Sequence, residues 1–193
     1  MKDTGKLKKE LEKSLPEKRY LHSLGVADTA AELAGRFGCD PDRAYLAGLL
    51  HDCAKGMSHE EMLSYASSRG YEPDEVTLGA LQILHAPVSA MLAEEKYGVT
   101  DSGILDAIRY HTTGRAGMST LEKIIFVADL TEPGRDFEGV GELRKASEED
   151  LTKACLAAVD SSIMTVIKRG GLLHPAAVDA HNSLTAEVKR NEP

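Results

Sequence analysis

The feature that most constrains this chain is an apolar run, residues 44–50, that ends in two side chains able to bind a metal. His51 and Asp52 follow the run directly, and Asp40 and Pro41 precede it. Aspartate is a favoured helix N-cap and proline a favoured first helical residue, so we predict a helix that ends at the histidine–aspartate pair. Adjacent helical residues point about 100° apart, yet both can reach one ion beside the helix. The pair alone is weak support for a metal site and gains weight only if further ligands exist.

Helix signals dominate the sequence and β-branched runs are short, so we predict an all-α fold in a single domain. Segment 1–15 is predicted to hold a lysine-rich surface helix, and 16–190 to form the domain that carries the metal site. In the first long helix we expect a core-facing apolar stripe made of Leu21, Leu24, Ala27, Ala31 and Ala34. Residues that cap or break helices predict a loop over 131–140. They predict helices at about 5–15, 17–37, 41–52, 58–70, 74–84, 87–98, 101–111, 121–130, 147–169 and 175–190.

The composition argues against several classes of protein. The net charge of -8 disfavours a general nucleic-acid binder, which is usually basic. The N-terminus is charged, and no stretch approaches the roughly 18 apolar residues of a membrane span, so we expect neither a signal peptide nor a membrane partner. The three cysteines lie far apart without a CxxC motif, which predicts neither a disulfide framework nor a structural zinc site. We therefore expect a protein of the reducing cytoplasm.

Further residues that could complete a metal site are spread along the chain, namely His22, His85, His111 and Asp129. Asp129 lies in the apolar segment 124–130, where burying a carboxylate is costly unless a cation meets it. A metal ion is the simplest such cation, although Asp129 could instead accept a backbone N–H bond or pair with Arg19 or Lys123. Imidazoles together with carboxylates suit iron, manganese or zinc rather than calcium. Any one of these histidines taken singly has a structural or surface role as its default.

The spacing of His22, the His51–Asp52 pair and Asp129 resembles the H…HD…D signature of the HD-domain metal-dependent phosphohydrolases. Longer segments resemble one branch of that family, the symmetrical dinucleoside tetraphosphate hydrolases. These segments, which include a His-Thr-Thr-Gly-Arg and a Glu-Pro-Gly-Arg stretch, are residues 19–26, 48–55, 110–115 and 121–135. The resemblance covers about residues 15–170.

The resemblance implies an HD-domain helical bundle that hydrolyses diadenosine tetraphosphate to two ADP. It implies iron as the metal, with manganese or another divalent cation as an alternative. The implied metal ligands are His22, His51, Asp52 and Asp129. The resemblance further places His85 and His111 toward a second metal or toward the phosphates of the nucleotide.

A bound metal supplies both needs of phosphoanhydride hydrolysis, because it activates water and neutralises phosphate charge. We expect Asp52 to bridge to a second metal or to orient the attacking hydroxide. His85 and His111 either bind that second metal or hydrogen-bond the phosphates and protonate the leaving oxygen, and the sequence leaves both roles open. The predicted catalytic residues are therefore Asp52, His85 and His111.

A tetraphosphate brings several negative charges into an acidic protein, so local cations must offset them. Arg19 and Lys55 each lie one helical turn from a predicted metal ligand. Arg115 and Arg135 lie on glycine-flanked loops that suit phosphate clamps, although each could be a solvated surface residue. The predicted substrate-binding residues are Arg19, Lys55, His85, His111, Thr112, Arg115 and Arg135.

Two rival functions stay open at this point. Another HD-type hydrolase would act on a nucleoside monophosphate, a dNTP or a cyclic dinucleotide, and a non-catalytic nucleotide-binding protein would keep the metal as a structural ion. Tyr20, Tyr110 and Phe137 could stack on a purine base or belong to the core. The apolar residues 154–159 and 163–164 could mediate a homodimer or pack inside the domain.

Overall fold

The computed structural model describes residues 4–191, and within that range the chain folds into eleven α-helices joined by short loops. The helices are α1 (Thr4–Ser14), α2 (Glu17–Arg36), α3 (Pro41–Leu50), α4 (His59–Ser67), α5 (Glu75–Gly79), α6 (His85–Glu95), α7 (Ser102–Arg109), α8 (Thr120–Thr131), α9 (Val140–Glu149), α10 (Leu151–Lys168) and α11 (Pro175–Asn191). The predicted all-α, single-domain fold is confirmed. Residues 1–3 of the predicted N-terminal segment lie outside the described range. Among residues 4–191, none of the helices combines the length and the apolar character that crossing a bilayer requires.

Helices α2, α3 and α8 pack against one another and form the frame of the core. The closest approach is at Gly48 of α3, where an added Cβ would lie 2.9 Å from the Cα of Ala27 and 3.0 Å from the carbonyl oxygen of Val26. Only glycine allows two backbones to come so near. This contact fixes the end of α3, and with it the histidine–aspartate pair, relative to α2.

The buried face of α2 differs in part from the predicted stripe. The residues buried on this helix are Ser23, Val26, Ala27, Ala30, Leu33 and Ala34. Ala27 and Ala34 face the core, as predicted. The prediction that Leu21 faces the core is wrong, because 58% of its surface is exposed. Leu21 lies on the opposite face of the helix and shares that face with Asp28, seven residues later, which is also exposed.

Several predicted boundaries are also wrong. The single helix predicted over 147–169 is two helices, α9 and α10, separated at Asp150, whose carboxylate caps α10 by accepting the amide N–H groups of residues 152 and 153 at 2.9 and 3.0 Å. Helix α6 begins at His85, before Pro87, since proline is tolerated in a first turn whose N–H groups have no helical acceptor. Segment 74–84 is the short α5 followed by one 3-10 turn rather than one helix. Capping boxes at Ser58 and Ser119 begin α4 and α8.

The N-terminal helix and α10 both contribute to the core. Leu7 and Leu11 of α1 are buried in the same apolar cluster as α2 and α3, while the lysine-rich face is outside. The division of the chain at residue 15 remains a prediction. On α10, the apolar segment proposed for self-association or for the core supplies Cys155 and Ala158 to the core, while Met164 stays half-exposed.

The close contact at Gly48 leads to a prediction about stability. Gly48→Ala is expected to lower the free energy of unfolding by about 1–3 kcal/mol, because the new methyl group meets backbone that cannot turn aside. Gly35→Ala in α2 is the matched control, since nothing lies within 4 Å of the added Cβ and alanine favours a helix by up to about 1 kcal/mol. Urea unfolding of both variants measures the difference. Equal midpoints for wild type and Gly48→Ala would show that the two helices can separate without loss.

Candidate metal centre

The predicted site residues meet where the ends and faces of five helices converge. His22 lies on α2, the histidine–aspartate pair follows α3, and Asp129 lies on α8. His85 is the first residue of α6, and His111 follows the end of α7. Four of these side chains are almost fully buried, namely His51, Asp52, His85 and His111. The structure therefore brings all four predicted metal ligands together with both of the other predicted catalytic histidines.

Three of the histidines are held by the helical turn that precedes them. In each, the Nδ1–H donates to the backbone carbonyl three residues earlier, with N···O distances of 2.6, 2.6 and 2.7 Å for His51, His85 and His111. A carbonyl oxygen only accepts, so the proton of the neutral ring sits on Nδ1 and the lone pair on Nε2. The same local geometry thus prepares three imidazoles as ligands through Nε2.

The fourth histidine is held by a carboxylate that the sequence analysis did not assign to the site. His22 Nδ1 donates to Glu132 Oε1 at 3.0 Å, and Glu132 is 5% exposed. The other carboxylate oxygen accepts the backbone N–H of Gly134 at 2.5 Å. A Cβ on Gly25, one turn after His22, would lie 2.7 Å from Glu132 Oε2, so glycine leaves the room that this carboxylate occupies. Metal-binding histidines are commonly oriented by a carboxylate in this way.

The first half of the cluster is formed by His22, His51 and Asp129. Their ligand atoms lie within 4.8 Å of one another, and Asp129 Oδ1 is 3.0 Å from His22 Nε2 and 3.8 Å from His51 Nε2. Asp52 Oδ2 completes this half at 3.5 Å from His51 Nε2 and 3.9 Å from His22 Nε2. The four predicted ligands therefore surround one small space.

The second half of the cluster lies on the other side of Asp52. Its Oδ1 atom is 3.1 Å from His85 Nε2 and 3.6 Å from His111 Nε2, and these two nitrogen atoms are 3.0 Å apart. The two oxygens of one carboxylate thus face different sets of imidazoles. Asp52 therefore lies between the two halves of the cluster and contacts both.

The chemistry of these side chains fits a divalent metal. The imidazole lone pairs and carboxylate oxygens that face one another are all acceptors, and they repel unless a cation lies among them. Within residues 4–191, three of the buried cluster atoms have no hydrogen-bond partner, and these are His22 Nε2, His51 Nε2 and Asp52 Oδ1. Buried polar atoms are normally paired, and a mixed nitrogen and oxygen set suits iron, manganese or zinc.

Burial and neighbouring side chains determine whether the side chains of the cluster are charged or neutral when a metal binds. It lowers the pKa of His85 to about 4, so this ring is neutral at pH 7. Burial alone would raise the pKa of Asp52, but His51 foremost, together with His111 and His85, lowers it well below its usual range. The cluster therefore presents a neutral imidazole at His85 and an ionised carboxylate at Asp52, which are the forms that bind metal.

Three of the predicted phosphate-binding cations lie at the cluster. Arg19 Nη1 donates to Asp52 Oδ2 at 2.7 Å, and Arg135 Nε donates to the backbone oxygen of Asp129 at 2.6 Å while its guanidinium also pairs with that carboxylate. Lys55 is half-buried, and burial lowers its pKa. The three cations and His22 line one groove of about 1160 Å³ between α2 and the loop after α8.

Arg115 and Thr112 are not brought to the cluster. The Arg115 guanidinium pairs with Glu122 at 2.6 Å and Asp106 at 3.1 Å and lies over the ring of Tyr110 at 4.5 Å. Its three neighbours hold it against α7 and α8, outside the groove. Thr112 is half-buried directly after His111. Their roles as substrate-binding residues stay predictions.

Arg144 of α9 is a second residue that sequence reasoning missed. Its guanidinium donates to the backbone oxygens of Thr131, Glu132 and Arg135 at 2.9, 2.9 and 2.8 Å. These bonds hold the turn that carries both Glu132, which orients His22, and Arg135, one of the cations in the groove. No signal pointed to Arg144, because residues 141–146 were not predicted to be helical, whereas Glu132 is part of the Glu-Pro-Gly-Arg segment.

Comparisons with known proteins agree with this geometry. The HD domain family model matches residues 19–134. The symmetrical bis(5'-nucleosyl)-tetraphosphatase of Bacillus subtilis is 42% identical over 176 residues, covering 91% of this chain and 94% of that protein. The protein of the same name from Staphylococcus aureus is 39% identical, covering 92% of each. A crystal structure of a predicted HD superfamily hydrolase involved in NAD metabolism, from Clostridium acetobutylicum, aligns with a TM-score of 0.93 at 45% identity over 97% of this chain and 99% of that one.

The family model spans the helices from α2 to α8 that carry the cluster, and it includes His22, the histidine–aspartate pair and Asp129. The similar proteins extend over nine-tenths of the chain and include the loop that carries Glu132. The expectation raised by the H…HD…D spacing is confirmed: the chain belongs to the HD-domain family.

Proposed function

We propose that this protein hydrolyses symmetrical dinucleoside tetraphosphates in a metal-dependent reaction, cleaving diadenosine tetraphosphate into two ADP. The observation that carries the proposal is the convergence of four imidazoles and two carboxylates, all acceptors, at the end of a groove rimmed by cations. The names of the similar proteins from Bacillus subtilis and Staphylococcus aureus support the choice of substrate.

In the proposed mechanism the residues divide into three groups. His22, His51, Asp52 and Asp129 would hold the metal, which when bound lowers the pKa of water and offsets phosphoryl charge. Asp52 stays ionised and lies between the two halves, so it accepts a hydrogen bond from the attacking water and orients it. Arg19, Lys55 and Arg135 bind phosphate oxygens, and Arg19 and Arg135 give up their contacts with Asp52 and Asp129 to do so.

The state of His85 bears on the two roles that the sequence left open. A ring that is neutral at pH 7, with its lone pair on Nε2, accepts a metal or a hydrogen bond more readily than it donates a proton. We therefore propose that His85 and His111, beside Asp52, would hold a second metal rather than act as the acid that protonates the leaving oxygen.

The proposal also covers the resident metal, the location and the partners. Iron is proposed as the resident metal, with manganese as the alternative, because both take mixed nitrogen and oxygen ligands. A cytoplasmic location agrees with three cysteines that are all free. A homodimer would use the exposed end of α10, where Met164 and Ile167 are about half-exposed. We propose nucleotides as the partners, and neither nucleic acid nor membrane.

A nucleotide panel tests the proposal. Protein loaded with Fe²⁺ or Mn²⁺ is incubated separately with diadenosine tetraphosphate, a nucleoside monophosphate, a dNTP and a cyclic dinucleotide, and the products are separated by ion-exchange chromatography. We expect ADP as the sole product of the tetraphosphate and little turnover of the others. Preferred turnover of another nucleotide would assign the chain to a different HD-type activity, and binding without turnover would make it a nucleotide-binding protein.

Arg135 provides a prediction about substrate affinity. Arg135→Ala is expected to lower kcat/KM about tenfold, through KM, because one charge-assisted hydrogen bond to phosphate is worth roughly 1.5–3 kcal/mol and this side chain is one-third exposed. Metal content should stay unchanged. Arg43→Ala is the matched control, since this arginine also forms an ion pair, with Asp101, but lies outside the groove. Unchanged kinetics for Arg135→Ala would leave it as a residue that only braces Asp129.

A further inference from the structure

The arginine of the His-Thr-Thr-Gly-Arg stretch has no role in the proposed mechanism. Arg115 lies outside the groove that holds the other phosphate-binding cations, and its guanidinium is engaged elsewhere. Its Nε donates to Glu122 Oε1 at 2.6 Å and its Nη2 to Asp106 Oδ2 at 3.1 Å, and the group lies over the ring of Tyr110. A guanidinium that already binds carboxylates and an aromatic face has few donors left for a phosphate.

The contacts of this guanidinium join the two helices that flank the loop of the motif. Asp106 lies in the last turn of α7 and Glu122 in the first turn of α8, while Tyr110 ends α7 and directly precedes His111. The chain then folds back on itself, because Gly114, at a φ of +64°, donates its N–H to the Tyr110 carbonyl at 2.8 Å. The ring of His111 therefore enters the cluster from the point that the guanidinium clamps.

The ring of His111 needs this support because its own hydrogen bond is local. Nδ1–H donates to the carbonyl of Ile108 in the same helix, which fixes the ring relative to α7 but not relative to the other ligands. Those ligands belong to other parts of the chain, with Nε2 lying 3.6 Å from Asp52 Oδ1 and 3.0 Å from His85 Nε2. A metal site requires its ligands to stay within about 0.5 Å of the binding geometry, so the end of α7 must be held.

Glu122 provides a firm anchor for the guanidinium. This residue is 2% exposed, and its Oε2 accepts the backbone N–H of Ser119 at 2.8 Å in the capping box that begins α8. Burial alone would raise the pKa of Glu122, but the hydrogen bonds from Arg115 and from Ser119 lower it below its usual range. The carboxylate is therefore ionised and fixed at the start of the helix that carries Asp129.

We propose that Arg115 is a positioning residue, which holds the end of α7 against the start of α8 so that His111 Nε2 stays directed at the cluster. The role of His111 as a metal ligand rests on the proposed function. The position of the ring does not, so it can be measured on metal-free protein and without substrate. A phosphate clamp at Arg115, the role that the sequence suggested, would act on KM alone.

The first test follows the ring of His111 in the metal-free protein by ¹⁵N NMR, which distinguishes the two tautomers. In wild type we expect the Nδ1–H form for His111 and for His51, which bonds a carbonyl in the same way. In Arg115→Ala we expect His111 to become a mixture of tautomers, while His51 keeps one form and is the internal control. His111→Asn identifies the signal by its loss.

The second test is a calorimetric titration with Mn²⁺. We expect Arg115→Ala to weaken binding of the second ion about 10- to 100-fold, the usual effect of removing a group that supports a metal ligand, and to leave the first ion within about twofold. Arg69→Ala is the matched control, because this arginine likewise pairs with a glutamate, Glu95, and lies over a tyrosine ring, Tyr65. It should bind Mn²⁺ as wild type does.

A double variant separates positioning from stability of the fold. Arg115→Ala leaves the buried Glu122 carboxylate without its cation and should lower the melting temperature. Adding Glu122→Gln removes that charge and keeps the capping box, which glutamine also forms. We expect the double variant to regain the melting temperature but neither the single tautomer of His111 nor the affinity for the second Mn²⁺.

Two results would overturn the proposal. Recovery of the tautomer and of Mn²⁺ affinity together with the melting temperature would show that Arg115 only stabilises the fold. Wild-type Mn²⁺ binding by Arg115→Ala with a raised KM would make it a phosphate clamp. If wild type binds a single Mn²⁺, the second metal of the proposed function is refuted, and the tautomer of His111 alone then decides the role of Arg115.

Discussion

Asp52→Asn is expected to reduce the rate of diadenosine tetraphosphate hydrolysis by roughly 10³-fold or more, since the metal-dependent stabilisation that it removes amounts to several kcal/mol. The carboxylate is 2% exposed and its two oxygens face both halves of the cluster. An amide keeps the shape but loses the negative charge, and its NH₂ group would point at imidazole lone pairs that a metal would otherwise use. Metal content should fall together with activity.

The same substitution should leave the metal-free protein folded and near wild type in stability, because two opposing effects accompany it. The charge that pairs with Arg19 at 2.7 Å is lost, which is destabilising. The amide can donate to His85 or His111 and so relieves the repulsion among acceptors at the centre of the cluster. A variant that unfolds at the wild-type temperature but binds little metal would thus separate function from folding. Asp160→Asn, which alters a half-exposed carboxylate bonded to His181, is the control that should change neither property. Wild-type hydrolysis by Asp52→Asn would remove Asp52 from the mechanism.

The four candidate ligands, which the structure brings together, could be named from the family's spacing, whereas the geometry that holds their side chains could not. His51, His85 and His111 each bond a carbonyl three residues back, but only the structure shows that their rings share one tautomer and one centre. The stripe predicted for α2 began at Leu21, but the buried face is centred on Ser23, Val26 and Ala30. Leu21 lies opposite that face, together with the exposed Asp28.

The residues that support the ligands were harder still to foresee. Glu132 lies 110 positions from the His22 ring that it bonds, and Arg144 braces that carboxylate's turn only through backbone oxygens. A contact between a side chain and backbone oxygens involves no second side chain, so no matching pair of residue types in the sequence can reveal it. Arg115 illustrates the converse, because its loop looked suited to phosphate, yet nearby acids and a tyrosine ring hold it elsewhere.

Glu132→Ala is expected to weaken metal binding roughly 10- to 100-fold, the usual effect of removing a carboxylate that orients a metal-binding histidine. Without it, the Nδ1–H of His22 has no acceptor and the ring is free to rotate away from Asp129. Competition with a chelator for Mn²⁺ measures the affinity directly and needs no substrate. Glu95→Ala, which removes a surface carboxylate paired with Arg69, should bind Mn²⁺ as wild type does.

Two further variants decide whether orientation of His22 is the cause. Glu132→Gln can still accept from His22, but its NH₂ group would then oppose the N–H of Gly134, so an intermediate loss is expected. Gly25→Ala leaves Glu132 in the chain but places a methyl group 2.7 Å from its Oε2 atom, so it should weaken metal binding as well. If Gly25→Ala and Glu132→Ala both keep wild-type affinity for Mn²⁺ while KM for the nucleotide rises, Glu132 acts on the substrate and not through His22.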